Sequence, residues 1–152
     1  MRLRWFAVIS LYLLSVGAVA ATTPAQKQLQ PILGKMMRLA NRHDTDGFMA
    51  FHLHKPELVF VFDGNVIHGW KKLHAQQLKW WKHGKSDVVY KQTAPTDFTQ
   101  LAPDLVVTTQ SLSGRRTLPN GKPVSANFIA TEVWKKLPQG WRIVYAHESL
   151  AH

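Results

Sequence analysis

The chain has 152 residues, a formal net charge of +10 and no cysteine. This length suits one domain with a substantial core and excludes a two-domain enzyme. The absence of cysteine excludes a fold held by disulfides. A basic chain can meet anionic lipid, nucleic acid or an acidic ligand. The simpler explanation of the positive charge is that solvated lysines keep the protein soluble. Charge alone therefore predicts no partner.

The first twenty residues have the pattern of an export signal. Arg2 and Arg4 precede an apolar run, and Ala18-Val19-Ala20 is a small-x-small cleavage site. The run is short for a membrane span. The sequence therefore predicts that residues 1–20 are removed and that residues 21–152 form one exported, periplasmic domain; a retained anchor is the alternative. Intact mass distinguishes the two, because cleavage leaves 152 − 20 = 132 residues.

Three helices are predicted in the first half of the mature chain. From Lys27 onward, apolar residues recur at spacings of three and four, which predicts a helix with one buried stripe. A segment rich in Asn, Asp and Gly interrupts the stripe, and Asp44 or Thr45 is placed to cap a second helix from Gly47 to His54. A third helix is predicted from Trp70 to His83, with lysines along its outer side.

The rest of the chain alternates between strands and turns. Asp63-Gly64 is a hairpin signal between Leu58–Phe62 and Asn65–His68. The later strands are predicted at Ser86–Thr93, Leu101–Ser113, Val124–Leu137 and Gly140–Ser149. This order predicts an α+β fold, in which a strongly curved, mostly antiparallel sheet wraps around the N-terminal helices as a cone with one open end.

The closing strand combines an apolar beginning with a polar end. Strand side chains repeat every two residues, so one face is predicted to carry Trp141, Ile143, Tyr145, His147 and Ser149. Such a strand runs from a packed core into the mouth of a cavity. Its polar groups bond either a ligand or the loop that ends the sheet. No serine hydrolase is predicted, because a G-x-S-x-G elbow is missing.

The order and spacing of several short motifs resemble the SnoaL-like branch of the nuclear transport factor 2-like / ketosteroid isomerase-like superfamily. The motifs are Asp44-x-Asp46-Gly47-Phe48-Met49-Ala50, Pro56-Glu57-Leu58-Val59-Phe60-Val61, Gly64, Gly69-Trp70, Gly140-Trp141-Arg142-Ile143-Val144 and His147-x-Ser149. The resemblance implies a cone-shaped domain with a pocket between the concave sheet and the helices. It also implies a homodimer formed through the outer face of the sheet.

The resemblance also points to site residues. It singles out Asp46 and Trp70 at the cavity, where Trp70 is placed to stack on a planar ligand. His52, on the second helix, is expected to face the same space. The competing interpretation of the acidic pair is helix capping, which explains Asp44 well. The chain departs from the usual pattern at His52, His68, Glu132 and Trp134, so no particular ligand transfers from the resemblance.

Neither a metal nor a cofactor is predicted. His52 and His54 lie two apart on a predicted helix and so point about 200° apart, and there is no cysteine or HExxH motif. Lysines mixed with Trp80 and Trp81 on the third helix raise the alternatives of a membrane surface or nucleic acid. A solvated helix is the default, so no nucleic-acid partner is predicted and membrane contact is the minor alternative.

Three functions remain open from the sequence. The first is an exported pocket protein that binds a small, largely apolar ligand. The second is an isomerase or dehydratase in which Asp46 is the base and His147 or Tyr145 donates to a developing oxyanion. The third is an interaction module whose function is the homodimer itself.

Overall fold

The computed structural model describes residues 22–151, so the predicted export signal lies outside the described residues. This part of the chain contains three α-helices, a short 3-10 turn and seven strands. The helices are α1 (Pro24–Asn41), α2 (Thr45–Met49) and α3 (Trp70–Trp80), followed by the 3-10 turn Lys82–Gly84. The strands are β1 (Val59–Phe62), β2 (Asn65–His68), β3 (Val89–Gln92), β4 (Asp97–Ala102), β5 (Leu105–Thr117), β6 (Pro123–Leu137) and β7 (Gly140–Leu150).

Side-chain caps define where the first two helices begin. The Thr23 hydroxyl accepts from the amide of Gln26 at the start of α1, where Pro24 is tolerated because its missing N–H would have no helical partner. Asp44 caps α2 by accepting from the amide of Gly47 at 2.9 Å. The prediction that Asp44 is a cap is thus confirmed.

Helix α2 is shorter than predicted because the sheet uses the backbone that follows it. The amide of Leu53 donates to the carbonyl of Ile143, and the amide of Ile143 donates to the carbonyl of Phe51, both at 2.8 Å. His52 therefore sits in a parallel bridge to β7. Because the sheet uses the carbonyl of Phe51 and the amide of Leu53, these two groups cannot continue the helical hydrogen bonds, so the predicted extension to His54 is wrong.

The seven strands form one open, mixed sheet in the order β2-β1-β7-β6-β5-β3. All pairs are antiparallel except β1 with β7. On the edge that faces away from β6, β5 pairs with β4 along its first half and with β3 along its second half. The predicted strand Leu101–Ser113 is wrong at its start, because a turn at Pro103-Asp104 separates β4 from β5.

A β-bulge in β7 changes which side chains face the helices. Opposite it on β6, Val133 pairs with Tyr145 and Trp134 pairs with Ile143, so Val144 is an extra residue. Each added residue moves the following side chains to the other face of the sheet. The alternation predicted for β7 therefore holds only as far as Ile143.

The core lies between the concave face of the sheet and α1 to α3. Its largest fully buried side chains include Trp134, Leu29, Met49, Leu58 and Leu73. No helix in the described part of the chain is long and apolar enough to cross a membrane. The predicted α+β cone, with its curved sheet around the N-terminal helices, is confirmed.

Candidate functional site

A cavity of about 550 Å³ opens between the helices and the concave face of the sheet. Its volume falls in the range of pockets that enclose small organic molecules. Most of its wall is apolar, with Leu33, Met36 and Met37 from α1, Trp80 and Trp81 at the end of α3, and Leu112, Phe128 and Ala130 from the sheet. We call this space the cone cavity.

Hydrogen bonds between elements fix one wall of the cone cavity. The amide of Tyr90 on β3 donates to the Asn41 side chain at the end of α1 (2.7 Å), and the indole N–H of Trp81 donates to the Tyr90 hydroxyl (3.0 Å). These contacts connect α1, β3 and the end of α3. The aromatic side of the cavity is therefore held by polar contacts as well as by packing.

Glu132 is a buried carboxyl group at the inner end of the cone cavity. It accepts from the hydroxyl of Thr108 at 2.7 Å, from the amide of Gln110 at 3.2 Å and from the indole of Trp134 at 3.3 Å. Burial raises its pKa, and the three donors oppose that rise because they favour the charged form. Its acceptor capacity is therefore used by the protein itself.

Glu148 is the second carboxyl group in the cone cavity, and its surroundings differ. Across the strands it pairs with Ala130 and Phe62, both of which line the cavity. Within residues 22–151 no side chain or amide makes a hydrogen bond to its carboxyl group. Burial first, and then the neighbouring charge of Glu132, raises the pKa of Glu148 from 4.5 to about 7.

The two carboxyl groups thus have different chemical capacities. Glu132 accepts from three protein side chains, whereas Glu148 accepts from none within residues 22–151, exchanges its proton near neutral pH and faces open space. Glu148 is therefore the group that can donate a hydrogen bond to, or take a proton from, a molecule in the cavity.

A second, smaller cavity of about 430 Å³ lies beside α2, where Asp46, His52, Trp70 and Arg142 are among its lining residues. Here the Trp70 ring stacks between two imidazoles, with its centroid 3.9 Å from that of His54 and 4.7 Å from that of His74. The Trp70 indole donates to the carbonyl of Met49 at 3.0 Å. The ring is therefore held in place by its own protein.

Asp46, the predicted base, and the predicted ligand-binding residues His52 and Trp70 do not line the cone cavity. The Asp46 side chain is 88% exposed and pairs with His74 at 2.6 Å. His52 is buried, and burial lowers its pKa from 6.5 to about 4, so its ring is neutral at pH 7. The structure therefore brings Asp46, His52 and Trp70 together, but not around the concave face of the sheet.

The polar end of β7 also departs from its predicted position. Because of the bulge, Tyr145, His147 and Ser149 alternate with Ala146 and Glu148 and belong to the outer face of the sheet. Tyr145 is 36% exposed there. The arrangement in which these residues face Asp46, His52 and Trp70 across one pocket is not the one in the structure.

Sequence reasoning missed both cavity carboxyl groups as site residues. The resemblance identifies Glu132 only as a departure from the usual pattern, although Glu132 alternates with Ala130 and Trp134 and so shares their buried face. A carboxyl group between apolar residues of one strand face is a signal that could have found it. Glu148 gave no comparable signal. Simple alternation places it on the outer face, and the bulge that moves it inward cannot be predicted from the two-residue period of a strand.

Among the residues that the structure describes, no three His, Asp or Glu side chains are placed to hold one metal ion.

Comparison of the whole chain with known proteins gives similarity at the level of fold. No family model matches the sequence, and no curated protein matches it. A nuclear transport factor 2-like protein of unknown function from Shewanella oneidensis superposes with a TM-score of 0.67 at 18% identity, covering 82% of this chain and 98% of that one.

Two further solved structures carry names that suggest activities. A ketosteroid isomerase-like protein from Erwinia carotovora atroseptica has a TM-score of 0.66 at 17% identity and covers 83% of this chain and 95% of its own. A candidate dehydratase of the nuclear transport factor 2-like family from Streptomyces avermitilis has a TM-score of 0.72 at 15% identity, with coverages of 85% and 99%. The chain therefore has the nuclear transport factor 2-like fold, as its motifs indicated.

Ionisation of Glu148 is expected to make the protein less stable as pH rises. In the unfolded chain the group loses its proton near pH 4.5, whereas in the folded chain it keeps the proton until about pH 7. Between these values the unfolded state binds fewer protons, so the free energy of unfolding falls with rising pH. Glu148→Gln cannot ionise and is expected to lack this loss, which reaches up to about 3 kcal/mol at 1.36 kcal/mol per pKa unit.

Urea unfolding at about pH 5 and about pH 8 measures this difference. Glu57→Gln, at an exposed position, is the control and is expected to follow the wild type. Equal pH dependence in the wild type and in Glu148→Gln would contradict the assignment.

Proposed function

We propose that the protein binds a small, largely apolar molecule in the cone cavity, with a polar atom of that molecule facing Glu148. The observation that carries this proposal is a carboxyl group without a protein partner on the wall of an apolar space of about 550 Å³. A polar group in an apolar surrounding is costly without a hydrogen bond. A ligand with an acceptor at its inner end satisfies the protonated form of Glu148.

The binding test uses a neutral fluorescent probe and a variant that blocks the cavity. N-phenyl-1-naphthylamine is apolar and fluoresces strongly on leaving water. Ala126 lines the cavity at its exposed rim, opposite Gly114 on β5, so Ala126→Trp is expected to fill the mouth and weaken probe binding at least tenfold. Ala75→Trp, on the exposed side of α3, adds the same ring elsewhere and is the control. Equal binding by both variants would contradict cavity binding.

A second candidate function is proton transfer, and the specific observation in its favour is the pKa of Glu148 near neutrality. A general base is most effective when its pKa lies near the working pH. Some neighbours of this fold are named isomerase-like or as a dehydratase, and both reaction types begin with removal of a proton from carbon. In this second candidate function Glu148 is the proton-abstracting base, the role that the sequence analysis predicted for Asp46.

A reporter reaction tests the base without knowledge of the natural substrate. In 5-nitro-1,2-benzisoxazole, a carboxylate removes the ring C–H proton, the electron pair forms the nitrile, and the N–O bond breaks to release a coloured phenolate. The wild type is expected to accelerate this reaction with a rate that rises through about pH 7, where Glu148 ionises. Glu148→Gln is expected to lose at least tenfold of the acceleration, whereas Glu57→Gln retains it. Equal rates in the wild type and Glu148→Gln would exclude Glu148 as the base.

We also propose that two copies pair through the outer face of the sheet in the exported, periplasmic form. Support comes from Val107, Val133 and Tyr145, which are apolar or aromatic and remain partly exposed in the middle of the sheet. A facing copy would remove them from water.

Light scattering after size exclusion measures the mass in solution. The wild type is expected at twice the chain mass, and Tyr145→Lys is expected at the chain mass because it places a charge in the interface. Val66→Lys, on the edge strand β2 where Val66 is 54% exposed, is the matched control and stays dimeric. A monomeric wild type at micromolar concentration would rule this pairing out.

A further inference from the structure

The mouth of the cone cavity is positively charged. Arg115 and Arg116 lie at the end of β5, are exposed, and line the cavity. Neither forms a salt bridge with any acidic group in the described range 22–151; the two salt bridges there join other residues. Both residues therefore contribute to the entrance, and neither charge is neutralised by a salt bridge there.

The one carboxylate beside this entrance leaves the positive charge in excess. The Asp87 side chain accepts from the amide of Thr117 at 3.1 Å. Its pKa is lowered first by that hydrogen bond and by its own backbone amide, and further by the positive charges of Lys82 and Arg116. Two cations, Lys82 and Arg116, thus act on this one anion, and Arg115 adds a further positive charge to the entrance.

The cone cavity is therefore polarised along its length. Arg115 and Arg116 lie at the entrance, close to the β5–β6 turn. Glu132 and Glu148 lie at the other end, which we call the inner end, opposite Thr108 and Ala130. Most of the wall between the two ends, the shaft, is apolar. An anionic group placed at the inner end would meet carboxyl groups, whereas one placed at the entrance would meet cations. The order of charges fixes the direction in which a charged ligand enters.

From this order we propose that the natural ligand is a soluble organic anion, with its carboxylate or sulfonate at Arg115 and Arg116 and its apolar body in the shaft. Arginine suits this role because its planar fork of donors matches the oxygens of such groups. An apolar body with a hydrogen-bond acceptor at its far end then meets Glu148. This proposal rests on the cavity function above and adds the class of ligand.

Two probes with the same rings separate the charge from the apolar body. 8-Anilinonaphthalene-1-sulfonate carries a sulfonate, and N-phenyl-1-naphthylamine is its neutral counterpart. The wild type is expected to bind the sulfonate roughly tenfold more tightly at low salt, since two partly exposed ion pairs each contribute a few-fold. The advantage is expected to shrink at high salt through screening, a measurement that requires no variant.

A pair of double variants assigns the advantage to the entrance. Arg115→Gln/Arg116→Gln is expected to remove most of the sulfonate advantage and to change binding of the neutral probe less than about twofold. Lys71→Gln/Lys72→Gln removes the same charge from exposed positions of α3 outside the cavity lining and is expected to leave both affinities unchanged. Circular dichroism verifies that both variants are folded.

The outcomes separate this inference from the cavity function. If the arginine variant keeps the sulfonate advantage, or if the lysine variant loses it equally, the anion site is overturned while binding of the neutral probe still stands. A wild type without a salt-dependent sulfonate advantage overturns it in the same way. If Ala126→Trp leaves the binding of both probes intact, the cavity function falls together with the anion site.

Discussion

The extra residue at Val144 decides what the cone cavity contains. Up to Ile143 the inward side chains of β7 are bulky and apolar, and after the bulge the inward positions are Ala146 and Glu148. Without the bulge, the imidazole of His147 would face the helices and Glu148 would face outward. The bulge thus fixes both the chemistry of the cavity and the character of the outer face.

Placing Glu148 in this position has an energetic cost that packing must offset. Desolvation disfavours its charged form, and the neighbouring carboxyl group of Glu132 adds repulsion. Glu132 lowers its own cost by accepting from Thr108 and Gln110 on β5 and from Trp134, two residues further along β6. Groups held at a cost without a protein partner are typical of functional sites. The cationic entrance, at the opposite end, gives the same cavity a direction.

The sequence predicted the elements that depend on local chemistry. The apolar stripe of α1, the Asp44 cap and the Asp63-Gly64 hairpin are all present, and both turn residues have the positive φ that such a hairpin requires. Which side chains line the cavity, in contrast, depends on how segments distant in the sequence pair with each other. Neither the bulge in β7 nor the bridge that ends α2 is encoded by local periodicity, so Asp46, Tyr145 and His147 were expected in a cavity that they do not line.

The most direct test of this account is a titration of the Glu148 carboxyl group by carbon-13 NMR. Selective labelling of glutamate, with Glu148→Gln to assign the signal, follows this group alone through pH. A midpoint near pH 7 is expected, because the group lies in an apolar cavity beside a second carboxyl group. A midpoint near 4.5, the value of a solvated glutamate, would show that Glu148 faces water and would contradict the central placement.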